Sequence, residues 1–182
     1  MRLERFVETW GTFIVIQVAS STLSKNELGL AADKVEEFFQ KVDENFSTYK
    51  SDSEVSRIRR GELEVVDASD DVKEVWKSCE HARELTLGSF DPWKVDGGFD
   101  PSGLVKGWAA DKASNILVAA GVQHCQVNAA GDISLRGGWF DSRAGVVKPW
   151  SIGVVNPDNR GEIVKVYEIT DGAIATSGTY ER

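Results

Sequence analysis

Histidine, cysteine and long apolar runs are what this 182-residue sequence has least of. Its two histidines and two cysteines show no CxxC pair and no His–Cys metal-ligand spacing, which excludes a zinc cluster and a disulfide framework. His81 falls inside a helical pattern and His124 at a strand start, so each reads as a structural residue and no Ser-His-Asp triad is suggested. Cys79 and Cys125 read as buried free thiols of a reducing compartment, because only the fold could bring them together. No stretch approaches the ~20 apolar residues of a bilayer span, which excludes membrane insertion. Glu8, Gly11 and Gln17 interrupt the apolar run after Met1–Phe6, so no secretory leader is visible. The expectation is a cytoplasmic protein, or an exported one if a leader has been removed. Lys and Arg total 21 against 29 Asp and Glu, a net charge of −8. That balance argues against nucleic acid as a partner. A phosphate-bearing ligand stays open, since backbone N–H groups and a few placed cations can hold one locally.

With 41% apolar and 27% charged residues, the chain has an ordinary globular composition and the length of one domain, residues 1–182. Phe6–Val18 is rich in β-branched and aromatic residues and reads as one long strand. Ser24-Lys-Asn-Glu27 is a capping box, after which Leu28, Ala31, Val35, Phe38 or Phe39, and Val42 repeat at helical spacing to about Asp43. Ser51-Asp-Ser-Glu54 opens a short helix that Gly61 stops, and Leu63–Val66 reads as a short strand. Ser69 caps another helix with Val72, Val75, Trp76, Cys79, Ala82 and Leu85 on one face. A further helix is expected over Val105–Ala120. His124–Val127 pairs with Asp132–Leu135, Trp150–Val155 with Ile163–Ile169, and Ala173–Thr176 begins a last strand. Helices early and strands late favour α+β, with antiparallel-rich sheets packed against about three main helices.

Generic nucleotide motifs fail. No GxGxxG follows a strand, and Gly98-Phe-Asp-Pro-Ser-Gly103 lacks the Lys-Ser/Thr that a P-loop requires. The loop from Gly88 to Leu104 is more informative, being longer than compact domains usually keep without a use for it. It places Asp and Pro directly ahead of a helix that opens Lys106-Gly-Trp-Ala-Ala-Asp111. A helix N-terminus offers unpaired N–H groups and a positive dipole end, and Lys106 adds a point charge. These features suit a polyphosphate, and a structural loop with a solvated Lys fits them as well. Tyr49 could stack on a ring or pack in the core.

Six segments in order resemble the FAD:protein FMN transferase (ApbE) family. Trp10-Gly-Thr12 stands where the family has Met-Gly-Thr. Phe46-Ser-Thr-Tyr49 with the following Ser-Glu helix start, Gly88-Ser-Phe-Asp-Pro92, and Phe99 through Lys106-Gly-Trp-Ala-Ala-Asp111 match family motifs. Asn128-Ala-Ala-Gly-Asp132 and Ala175-Thr-Ser-Gly178 complete the series. The resemblance implies a T-fold-related core and Mg²⁺-dependent cleavage of the FAD pyrophosphate. FMN would pass to a Ser or Thr hydroxyl of an acceptor flavoprotein. It further implies FAD contacts at Trp10, Tyr49, Ser89, Phe90, Asp91, Lys106 and Lys112. The Ala109 backbone carbonyl would face the metal, and no residue receives a catalytic role.

Departures from the family are also visible. Trp10 replaces Met and Ala130 replaces a Gly. The family continues by about another third, with a His-x-x-Asp-Pro-x-x-Gly motif and the Asp and Thr ligands of Mg²⁺, none of which follows Arg182 here. The alternative expectation is therefore a non-catalytic flavin-binding module, or an interaction protein whose open sheet edge pairs with a partner or a second copy.

Overall fold

The computed structural model describes residues 1–177. Its centre is an antiparallel five-stranded sheet of order β1-β2-β3-β4-β9, formed by Arg2–Thr9, Thr12–Ala19, His124–Ala129, Asp132–Arg136 and Gly172–Ile174. β1 and β2 correct the expectation of one long strand. Thr9 pairs with Thr12, and the two residues between them, Trp10 and Gly11, both have positive φ, at 57° and 68°. Those angles define a type I′ hairpin turn, whose twist matches that of the flanking strands.

The strand period of two sorts the sheet into faces. Val7, Ile14, Ile16, Val18, Cys125, Val127 and Ala129 point inward and are buried. Phe6 and Phe13 point outward and stay exposed. Against the inner face lie α1 (Lys25–Phe46) and α4 (Ser102–Ala119). Helix α1 has the expected capping box, with the Ser24 hydroxyl and the Glu27 carboxylate each bonding the other's backbone N–H. It buries Leu28, Ala32, Val35, Phe39 and Val42 on one stripe and runs one turn beyond the expected end. Arg5 is the exception on the inner face, where it pairs with Asp33 and Glu36 of α1 at the helix border.

Two more helices carry the loop that precedes α4. Ser53 caps α2 (Glu54–Arg59), and Ser69 caps α3 (Asp70–Leu85). Leu63–Val66 is not a strand; a 3-10 turn occupies Val65–Asp67 instead, since no strand runs alongside to pair with it. Leu85 lies on the outer side of α3 at 71% exposure, not on its packed face. Two hairpins stand apart from the main sheet: β5 (Trp139–Asp141) with β6 (Val146–Lys148), and β7 (Trp150–Asn156) with β8 (Asn159–Ile169). Among the described residues no helix is long and apolar enough to cross a membrane.

Candidate functional site

The last turns of α1 and the first turn of α4 face each other across a cleft of about 380 Å³, within the ~300–1,000 Å³ range of small-molecule sites. Val42 and Phe46 of α1, Val105 of α4 and Trp10 of the β1–β2 turn supply apolar walls. The Trp10 indole is braced edge-on against Phe39, with centroids 5.5 Å apart and planes at 81°. Behind Phe46 lies Trp108, 5.5 Å away, which also meets Phe38 at 5.9 Å. The cleft therefore has a continuous aromatic backing.

Its polar groups are few. Lys106 and Ser102 stand on the α4 side, at the positive dipole end of the helix, where Asp100 Oδ1 accepts the Ser102 N–H and the Pro101 carbonyl accepts those of Leu104 and Val105. Asp43 and Lys50 stand on the α1 side, joined by a 2.6 Å ion pair. The Asp43 carboxylate raises the Lys50 pKa above its ordinary value. Tyr49 lies on the rim with its ring fully exposed.

The Gly88–Asp91 loop lies against the same helix turn from another side. Phe90 packs on Gly103, where a Cβ would meet the Phe90 ring at 3.1 Å, so the missing side chain lets loop and helix approach. The Asp91 side chain is only 5% exposed, paired with Arg83 at 3.0 Å and Lys94 at 3.8 Å. Its Oδ1 accepts the Trp93 N–H. Thr86 caps the turn from below by accepting the Phe90 N–H. Arg59 staples the loop's far arm by donating to the carbonyls of Asp96 and Gly97.

Of the residues singled out in the sequence, Trp10, Tyr49 and Lys106 thus meet at one cleft. Ser89, Phe90 and Asp91 form a second group beside the first turn of α4. Lys112 joins neither. Two turns along α4, it is bound to Glu74 of α3 at 2.6 Å, and Glu74 also accepts the Trp108 indole N–H at 3.0 Å. Together these donors hold the Glu74 carboxyl below its ordinary pKa, Lys112 contributing most. Asp43, Lys50 and Glu74 carry no local signature in the sequence; only the packing of α1, α3 and α4 reveals them. The Asn128–Asp132 turn connects β3 to β4, with Ala130 and Gly131 at positive φ and the Asn128 side chain accepting the Gly131 N–H. Thr176 donates to the Gly131 carbonyl at 3.4 Å, while the expected Thr-Ser-Gly segment from residue 178 onward lies outside the described residues.

Ala109, the residue implied as a backbone ligand of Mg²⁺, is fully buried in mid-helix, where its carbonyl belongs to the helical ladder. Among the described residues no three of His, Cys, Asp and Glu gather where they could hold a metal ion. Mg²⁺ demands octahedral oxygen ligation that usually includes a carboxylate. The residues described do not fit that requirement.

Comparison with known proteins agrees with this architecture. The model of the ApbE family matches residues 10–96 and 93–182. A FAD:protein FMN transferase from Vibrio cholerae serotype O1 is 35% identical over 82 residues, 44% of this chain and 23% of that protein. The solved flavin transferase ApbE from Vibrio cholerae superposes with a TM-score of 0.81 at 23% identity, covering 99% of this chain and 72% of that one. The apbe protein of Thermotoga maritima gives 0.84 at 23% identity, covering 100% and 72%. Identities this low carry the fold alone, and the fold they carry is the antiparallel α+β arrangement described above.

Proposed function

The chain belongs to the ApbE family, and from that premise we propose that it is a FAD:protein FMN transferase. In the proposed reaction a Ser or Thr hydroxyl of an acceptor flavoprotein forms a bond to the phosphorus of the FMN half of FAD. The pyrophosphate P–O bond breaks, AMP leaves, and the hydroxyl proton is released to water. Phosphoryl transfer of this kind depends chiefly on positioning and on neutralising charge.

The observation that carries the reading is the position of the first turn of α4. The aromatic cleft lies on one side of it, and Phe90 of the Gly88–Asp91 loop packs on Gly103. An extended dinucleotide can lay its isoalloxazine in the cleft and its pyrophosphate over that turn. Lys106 then supplies positive charge beside the phosphates, together with the positive end of the α4 dipole. No ion-pair partner holds Lys106 among the described residues, so its ammonium is available. The buried Asp91, held by Arg83 and Lys94, would anchor the loop against the remaining half of the ligand.

No step is assigned to Mg²⁺, because the described residues do not form a site for it. The alternative is a flavin-binding module without turnover. One assay separates them: FAD is incubated with the chain and an acceptor flavoprotein, with and without Mg²⁺, and AMP and protein-bound flavin are measured. Stoichiometric AMP and covalent flavin establish transfer, and dependence on added Mg²⁺ would require oxygen ligands beyond those described. FAD binding with no AMP supports the module.

A further inference from the structure

The Asp43–Lys50 pair is not explained by phosphate binding, since a carboxylate in the cleft repels phosphate while Lys106 and the α4 N-terminus provide the opposite field. Its chemistry fits a different group. The pair offers an acceptor and a donor side by side, 2.6 Å apart, on a cleft whose apolar walls are Trp10, Val42, Phe46 and Val105 and whose opposite side carries Ser102 and Lys106. Lys50 engages Oδ2 of Asp43, leaving Oδ1 to accept another donor. The pyrimidine edge of an isoalloxazine presents a carbonyl, an N–H and a second carbonyl in a row. We propose that Asp43 and Lys50 are the specificity-determining pair for the flavin ring, Asp43 accepting the N3–H and Lys50 donating to a flanking carbonyl.

This inference rests on the flavin reading given above and adds to it the residues that tell a flavin from other flat aromatic ligands. An apolar cleft alone would take any ring of suitable size, whereas a site built to pair with an N–H rejects an analogue that lacks it. Asp43 is also suited to the task by its surroundings. Its side chain is 18% exposed, so water competes weakly for the carboxylate.

The test uses riboflavin, 3-methylriboflavin and ADP as probes, with binding followed by flavin and tryptophan fluorescence or by calorimetry. A hydrogen bond to a charged acceptor predicts that the wild-type chain binds riboflavin about tenfold or more tightly than the N3-methylated analogue. Asp43→Ala abolishes that preference by weakening riboflavin alone, and Lys50→Met weakens both flavins. Neither change moves the affinity for ADP, which has no isoalloxazine. Equal wild-type binding of the two flavins, with FAD binding intact, overturns the inference and leaves the flavin reading standing. So does a loss of ADP affinity in Lys50→Met equal to its loss of riboflavin affinity, because the lysine would then be a phosphate contact. Failure of the wild-type chain to bind riboflavin or FAD at all overturns both. The comparison of analogues on unaltered protein needs no variant to fold.

Discussion

Replacing Trp10 with Asn separates what the residue does for the fold from what it does for the cleft. Trp10 occupies the first central position of a type I′ turn at φ 57°, where an ordinary L-residue costs roughly 1–2 kcal/mol and Asn is among the preferred choices. Relief of that strain opposes the loss of the edge contact with Phe39, worth about 0.5–1.5 kcal/mol beyond burial. The half-buried indole adds a loss of similar size from its buried surface. The two sides nearly cancel, so the stability of Trp10→Asn is expected within about 1 kcal/mol of wild type by chemical denaturation. FAD binding follows a different sum. The variant loses an aromatic wall whose stacking on a ring is worth about 1–3 kcal/mol by analogy with bases on aromatic side chains. A fluorescence titration should therefore show FAD affinity falling by about tenfold or more while the denaturation midpoint hardly moves. The reasoning is refuted if the variant unfolds by more than about 3 kcal/mol, which would make Trp10 a core residue. Unchanged FAD affinity refutes it equally, because the cleft would then not hold the ring.

Three further outcomes follow from the same structure. Gly137→Ala would place a Cβ 1.9 Å from the Gln123 carbonyl oxygen at φ +70°, so it should destabilise by more than about 2 kcal/mol, and a thermal midpoint equal to wild type would contradict the packing of that turn. Burial pushes the Cys79 thiol up to about 12 and the Cys125 thiol to about 11, so neither should be alkylated by iodoacetamide in the native protein at pH 8, whereas both react in urea; native labelling monitored by mass spectrometry decides. Ser24 holds Glu27, and Lys112 with Trp108 holds Glu74, below the ordinary carboxyl value of 4.5. The stability these pairs contribute is complete above that pH and lost as pH falls through the lowered folded values, so denaturation midpoints should decline only on acidification below it, and a midpoint that rises there contradicts the pairings.

What the sequence discloses and what it hides divide along physical lines. The caps at Ser24 and Ser69 are legible because a cap and its target N–H lie within three residues of each other, whereas the Ser51–Glu54 stretch marks the start of α2 without singling out its cap, Ser53. The β7–β8 hairpin is legible as a hairpin, but its turn is the tighter pair Pro157–Asp158, and Asn159–Gly161, expected in the turn, belong to β8. The β1–β2 turn is not, because Trp is a poor residue for positive φ and its neighbours continue the strand pattern without a break. β5 and β6, three residues each, are too short for a period to show. In the candidate site, each motif is recognisable alone, but a motif carries no record of which side of α4 it will meet. That Lys112 answers to Glu74, 38 residues away, and that Asp43 and Lys50 share a cleft with Trp10, are consequences of helix packing. Local spacing contains neither.

The most direct test of the account is a FAD titration of the wild-type chain, followed by quenching of tryptophan emission and repeated with Lys106→Met. The account predicts saturable one-to-one binding that quenches tryptophan, and a marked weakening for FAD but little change for riboflavin when Lys106 loses its charge. Absence of saturable binding would contradict the placement of FAD across the first turn of α4. So would a Lys106→Met variant that binds FAD as wild type does.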